Sequence, residues 1–150
     1  ELNLKNRKGA VIVFLSAVCP CSNSHIQELA ALAKEYPDFS FLGVHSNTDE
    51  IKEITQGYFK AAQLPFPVIH DSEAHIADLF KAYKTPHAFL LGVSGEVLYR
   101  GGVSSSRNFA NAEKKFLRDA LEDVMLKRPI RSPEGRTLGC VISREHRDVW

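Results

Sequence analysis

The chain has 150 residues, a formal net charge of +1, and 44% hydrophobic against 25% charged residues. That size bounds it to one domain with a core of its own, and the near-neutral balance gives no reason to expect nucleic-acid binding. No apolar run is long enough to span a bilayer as a helix, and three cysteines are too few for a structural disulfide framework.

The first element is Ala10-Val11-Ile12-Val13-Phe14-Leu15, short, branched and uninterrupted, which reads as a buried strand. Cys19-Pro20-Cys21-Ser22 follows. Ser22, Asn23 and Ser24 offer capping side chains for a helix on which Ile26, Leu29, Leu32, Ala33 and Tyr36 recur at helical spacing. A cysteine at such a strand-to-helix junction lies beside unpaired N–H groups and the positive end of a helix dipole, which favours the reactive thiolate.

Pro37-Asp38 turns the chain into a second strand over residues 39–44. Ser46, Asn47, Thr48 and Asp49 then offer caps for a helix with Ile51, Ile54, Tyr58 and Phe59 on one face. Two prolines in Leu64-Pro65-Phe66-Pro67-Val68-Ile69 forbid a helix and suit a short edge strand. Another amphipathic helix carries Ile76, Leu79, Phe80 and Tyr83. Thr85-Pro86 introduces a hairpin of His87–Leu91 and Glu96–Arg100 joined by a glycine-bearing turn. A last helix, about 109–127, turns Phe116, Leu117, Ala120, Leu121 and Val124 inward. Strands alternating with helices imply an α/β fold with a mixed sheet. Residues 1–128 read as the domain and 129–150 as an irregular tail that carries Cys140 and docks at least in part.

A cysteine opening the first helix, with Thr85-Pro86 before the hairpin, resembles the thioredoxin fold, a three-layer sandwich with helices on both faces of the sheet and a C-terminal hairpin plus helix. The nearer match is its redoxin branch, the AhpC/TSA and peroxiredoxin-like proteins of bacteria. The residues that carry it are Phe14-Leu15-Ser16, Cys19-Pro20, Glu28-Leu29, Gly43-Val44, Ser46-Asn47, Leu64-Pro65-Phe66-Pro67-Val68, Thr85-Pro86 and Tyr99-Arg100-Gly101. The resemblance runs from Ala10 to Lys127 and extends to Gly139-Cys140. It implies that Cys19 is the nucleophile, that Pro86 is cis, and that Thr85 offers its backbone edge to a substrate. The chain also departs from the family. Ser22 stands where thioredoxin has its second cysteine, Val13 where it has a buried carboxylate, and Ile12 where peroxiredoxins have proline. Arg100 is the candidate for the arginine that stabilises a peroxidatic thiolate.

The expected activity is that of a thiol–disulfide oxidoreductase or thiol-dependent peroxidase without a cofactor. Cys19 attacks a disulfide or peroxide, and Cys140 or Cys21 resolves the product. Cys140 sits among Pro133, Gly135 and Gly139, whose freedom lets it approach, and loop closure grows costly only slowly with length. Ser16 and Ser22 are expected to donate hydrogen bonds to the Cys19 sulfur, and His87, as an imidazolium, to stabilise the thiolate. The expected partners are protein or small-molecule thiols, disulfides and peroxides. The protein is expected to be a monomer or weak dimer without membrane insertion. A different class of function is a copper(I) carrier using Cys19, Cys21 and a histidine, His25 or His87, since thiolate and imidazole suit that ion. His45, His70, His75 and His146 read as surface or strand-end residues. The lack of an initiator Met and the resemblance favour the bacterial periplasm or secretion, with the cytoplasm as alternative.

Overall fold

The computed structural model describes residues 6–144. Its centre is β1 (Gly9–Leu15), buried at every position, because helices cover both faces of its sheet; a strand so placed reads as an unbroken apolar run. Val11, Val13 and Leu15 face one side. There they pack with Ile26, Leu29 and Leu32 of α2 (Ile26–Glu35) and with Leu117, Ala120 and Leu121 of α5 (Phe116–Met125). Ile12 and Phe14 face the other side, in a smaller cluster with Ala77 of α4 (His75–Phe80), Phe89 and Ile142. The rings of Phe14, Phe80 and Phe89 meet edge to face in that layer.

The sheet has five strands, with β1 at its centre. β1 pairs in parallel with β2 (Phe39–His45), which pairs in parallel with β3 (Val68–His70) at the edge. On the opposite side β5 (His87–Gly92) is antiparallel to β1, and β6 (Val97–Gly101) closes the hairpin. This is the mixed, helix-covered sheet of the thioredoxin-like fold. Val68 enters β3 directly after the two prolines, as expected of an edge.

Three local readings need correction. The first helix is broken at His25 into α1 (Pro20–Ser24) and α2, and it starts three residues early: Cys19 is its N-cap and Pro20 its first residue, so Ser22, Asn23 and Ser24 lie within the first turns. Next, Ile51, the N-cap of α3 (Lys52–Ala62), Ile54 within it, and Leu79 and Tyr83 are exposed rather than core; only Tyr58, Phe59, Ile76 and Phe80 of the two predicted faces pack inward. Finally, the last helix begins at Phe116, not 109. Asn108 caps a single 3₁₀ turn at Phe109–Asn111, and the Ser105 hydroxyl oxygen accepts from the N–H groups of Glu113 and Lys114, diverting the chain from a continuous helix.

After α5 the chain is irregular but docked. Pro133 and Gly135 exchange backbone hydrogen bonds with Arg100. Farther on, β7 (Cys140–Val141) pairs antiparallel with β4 (Lys84–Thr85) as a two-stranded sheet, Thr85 opposite Cys140. Ile142 donates its N–H to Tyr83 and is buried in the second core cluster. No helix among the described residues is long and apolar enough to cross a membrane.

Candidate active site

Cys19 stands where the buried end of β1 gives way to α1, and it is 3% exposed. As N-cap it faces the first-turn N–H groups, which have no intrahelical partners, and no side-chain oxygen caps them. Cys19 Sγ is bonded to Cys140 Sγ, across 121 positions of sequence. The same Cys19 sulfur lies 3.7 Å from the Thr85 carbonyl oxygen, to which the thiol can donate once the bond is cut. The Thr85–Pro86 peptide bond is cis. Cys21, half-buried, is the remaining thiol, and its sulfur lies within 4.8 Å of both others.

The edge of Thr85 is filled by the chain itself. β7 lies along it in antiparallel register, with Cys140 paired to Thr85 and joined to Cys19. This close approach requires Gly139, since a Cβ there would overlap the Thr85 carbonyl oxygen.

Ser16 and Ser22 brace the loop rather than the sulfur. The Ser16 hydroxyl donates to Glu50 Oε2 at 2.6 Å and accepts from the N–H groups of Val18 (3.1 Å) and Cys19 (3.0 Å). Ser22 Oγ accepts from the Ser16 N–H at 3.0 Å. Both hydroxyls are thereby drawn to backbone and carboxylate, stronger partners than a disulfide sulfur.

Glu50 was not singled out in the sequence. Its side chain is 3% exposed, and it collects donors from Ser16, the Ala17 N–H (2.8 Å), His45 Nε2 (3.0 Å) and Asn47 Nδ2. Burial pushes the carboxyl up, but the bonds from His45, Ser16, Asn47 and Ala17 outweigh it and hold the group down at about 2. A carboxylate so firmly ionised is an anchor, not a proton carrier. Asn47 passes the link on, because its Oδ1 accepts from the N–H of Ser143, three residues after Cys140. One buried anion therefore ties the Cys19 loop to the docked tail. The signal was the polar run Ser46–Asp49, read as helix caps, with Glu50 directly after it; none of these side chains caps α3, and Ser46 bonds Asp71 instead.

The histidines do not fill the roles expected of them. His25 is 1% exposed, with Nδ1 on the Cys21 carbonyl and Nε2 on Ser104 Oγ, both at 2.7 Å. Burial lowers its pKa, so a neutral ring donates from Nδ1 and accepts at Nε2, leaving no free nitrogen for a metal. Burial, then the positive charge of Arg100, pushes His87 down to about 4; it is neutral at pH 7 and supplies no imidazolium to a thiolate. His45 ends β2 and is buried against Glu50. Arg100 is turned outward to Glu134, 2.9 Å away. His146 lies outside the described residues.

A disulfide-bonded cysteine at a helix start, with a cis-proline close by, is what the resemblance implies for this site, and comparison with known proteins gives the same family. The sequence model of the AhpC/TSA family matches residues 1–100. The chain belongs to the AhpC/TSA family. Among solved structures, an uncharacterised conserved protein from Geobacillus kaustophilus is 24% identical with a TM-score of 0.85, covering 96% of this chain and 81% of that one. A hypothetical protein from Sinorhizobium meliloti is 22% identical at a TM-score of 0.85, covering 96% and 84%. A secreted Mycobacterium tuberculosis disulfide oxidoreductase homologous to E. coli DsbE is 21% identical at a TM-score of 0.55, covering 62% and 69%. These likenesses show the thioredoxin-like fold. No curated protein matches the chain.

Proposed function

We propose that this AhpC/TSA protein is a thiol–disulfide oxidoreductase in which Cys19 is the nucleophile and Cys140 resolves it. The observation that carries this reading is β7 on the Thr85 edge, with Cys140 bonded to Cys19. The Cys19 thiolate attacks one sulfur of a substrate disulfide and releases the other as a thiolate, leaving a mixed disulfide. Cys140 thiolate then attacks Cys19 Sγ, the substrate's second sulfur leaves as thiolate, and the intramolecular bond forms. An external dithiol reverses the last oxidation by two-electron reduction of that bond. Extended peptides reach Cys19 by the same edge that β7 uses, so tail and substrate take turns there. Exposed Val18 and Val141, next to the two bonded cysteines, give such a peptide apolar contact.

A disulfide is favoured over a peroxide as substrate, because Arg100 is engaged by Glu134 and Ile12 replaces the peroxiredoxin proline. We place the protein outside the bacterial cytoplasm, where disulfides persist between turnovers; cell fractionation checks that. The test of function is turnover of a fluorescent disulfide-linked peptide with excess dithiol, with hydrogen peroxide in a parallel arm. Wild type should turn over the peptide, Cys19→Ser should be inactive, and Cys140→Ser, reduced and then mixed with the peptide after the dithiol is removed, should accumulate the mixed disulfide at Cys19. Full turnover by Cys19→Ser overturns the assignment.

A further inference from the structure

The three cysteine sulfurs converge from three separately fixed pieces of backbone. Cys19 is held at the α1 N-cap by Ser16, Cys21 rides the first turn of α1, and Cys140 is set by β7. All three sulfur atoms lie within 4.8 Å of one another, the one such group of three potential metal ligands among the described residues. An exchange partner for the Cys19–Cys140 bond would have to approach along the bond axis. In contact with the nearer sulfur at roughly 3.5 Å, it would stand more than about 5 Å from the farther one. Cys21 sits within 4.8 Å of both, and so lies beside the bond rather than in line with it. Its position suits a shared ligand better than an attacker.

We propose that the reduced protein binds one copper(I) ion through the thiolates of Cys19, Cys21 and Cys140. Reduction of the bond by a dithiol, which becomes a disulfide in turn, separates the two joined sulfurs. A metal–sulfur bond of about 2.3 Å in trigonal geometry asks for sulfurs about 4 Å apart, which is within the spread the backbone already imposes. Thiolates are soft ligands and select soft ions, while magnesium and calcium require oxygens. No histidine nitrogen or carboxylate oxygen joins the group among the described residues, and His25 is spent on Cys21 and Ser104. Three ligands without a fourth favour trigonal copper(I) over a tetrahedral zinc site. Cys19 is buried while Cys21 and Cys140 are half-buried, so the ion has a path in and out. Binding releases the thiol protons and blocks the disulfide, so the copper-loaded and oxidised forms exclude each other.

This differs from a carrier built on two cysteines and a histidine, and it shares with the proposed exchange activity only the reversibility of one bond. The test is anaerobic titration of dithiol-reduced, desalted protein with copper(I), competed against bathocuproine disulfonate. Reduced wild type should hold one equivalent, and oxidised protein none. Cys21→Ser should weaken binding by at least about 100-fold, the upper end of what losing even an outer-shell partner costs a metal site. X-ray absorption should show three sulfur neighbours at about 2.3 Å and no nitrogen. Far-UV circular dichroism and retained Cys19–Cys140 bond formation check that Cys21→Ser is folded. Equal affinity in Cys21→Ser, binding by the oxidised form, a two-sulfur site, or tighter zinc than copper binding each overturns the proposal. A chain that turns over disulfides but fails this titration loses the copper site alone.

Discussion

Replacing Glu50 with glutamine should destabilise the oxidised protein by about 3 kcal/mol at pH 7, and the loss should vanish in acid. The magnitude follows from the carboxyl being held at about 2 against an ordinary 4.5, a difference worth about 3 kcal/mol in favour of the ionised folded state. Because the folded value is the lower one, this stabilisation is complete above pH 4.5 and is lost as pH falls towards 2. Glutamine keeps the shape but loses the charge. Its one carbonyl oxygen serves two donors at best, and its amide turns N–H groups towards the Ser16, Ala17, His45 and Asn47 donors. The assay is urea unfolding of both proteins by far-UV circular dichroism at pH 7, 4 and 2.5. A variant as stable as wild type at pH 7, or a gap that stays constant with pH, refutes the account of Glu50 as the anchor of the Cys19 loop.

Gly139→Ala should push β7 off the Thr85 edge without touching a sulfur, and slow formation of the Cys19–Cys140 bond by an order of magnitude or more on the scale of a lost backbone pairing; quenched-flow alkylation with mass spectrometry reads the rate. Closing a loop across 121 positions should make the oxidised form more stable than the reduced by about 5 kcal/mol, measured by urea midpoints with and without dithiol. His87→Leu should flatten acid destabilisation between pH 6.5 and 4. In wild type the unfolded imidazole takes up its proton near 6.5 while the folded ring resists to about 4, a loss of about 2 kcal/mol once the partly exposed ring is discounted; thermal melts across that range check it.

The sheet was legible because its signals are local. The β1 run, the paired prolines before β3 and the Gly-turn hairpin each report a backbone requirement that tertiary context did not override. The inward face of α5 was equally plain from Leu117, Ala120 and Leu121. Reading failed where apolar side chains had no surface to meet: Ile51, Ile54 and Leu79 keep helical spacing yet face solvent. It failed again where polar side chains bond across the chain. Ser105 stops a helix eight residues away, and Asn47 reaches Ser143 instead of capping α3. At the site, Cys19 and the Thr85–Pro86 bond announced themselves by position. Glu50 did not, since nothing in a run of polar residues marks which one is buried 34 positions from its partner Ser16.

Seating the tail does not depend on the sulfur bond alone. Ile142 is in the core, Ser143 is held by Asn47, and Arg144 bonds Asp78 at 2.8 Å and the Ala82 carbonyl at 2.7 Å. Cutting the bond therefore leaves Cys140 tethered opposite Cys19, at an effective concentration above the millimolar range of a flexible linker. In the proposed exchange, small external thiols must compete with that internal one, so an adduct on Cys19 would have a lifetime set by the chain itself and not by how much protein is present.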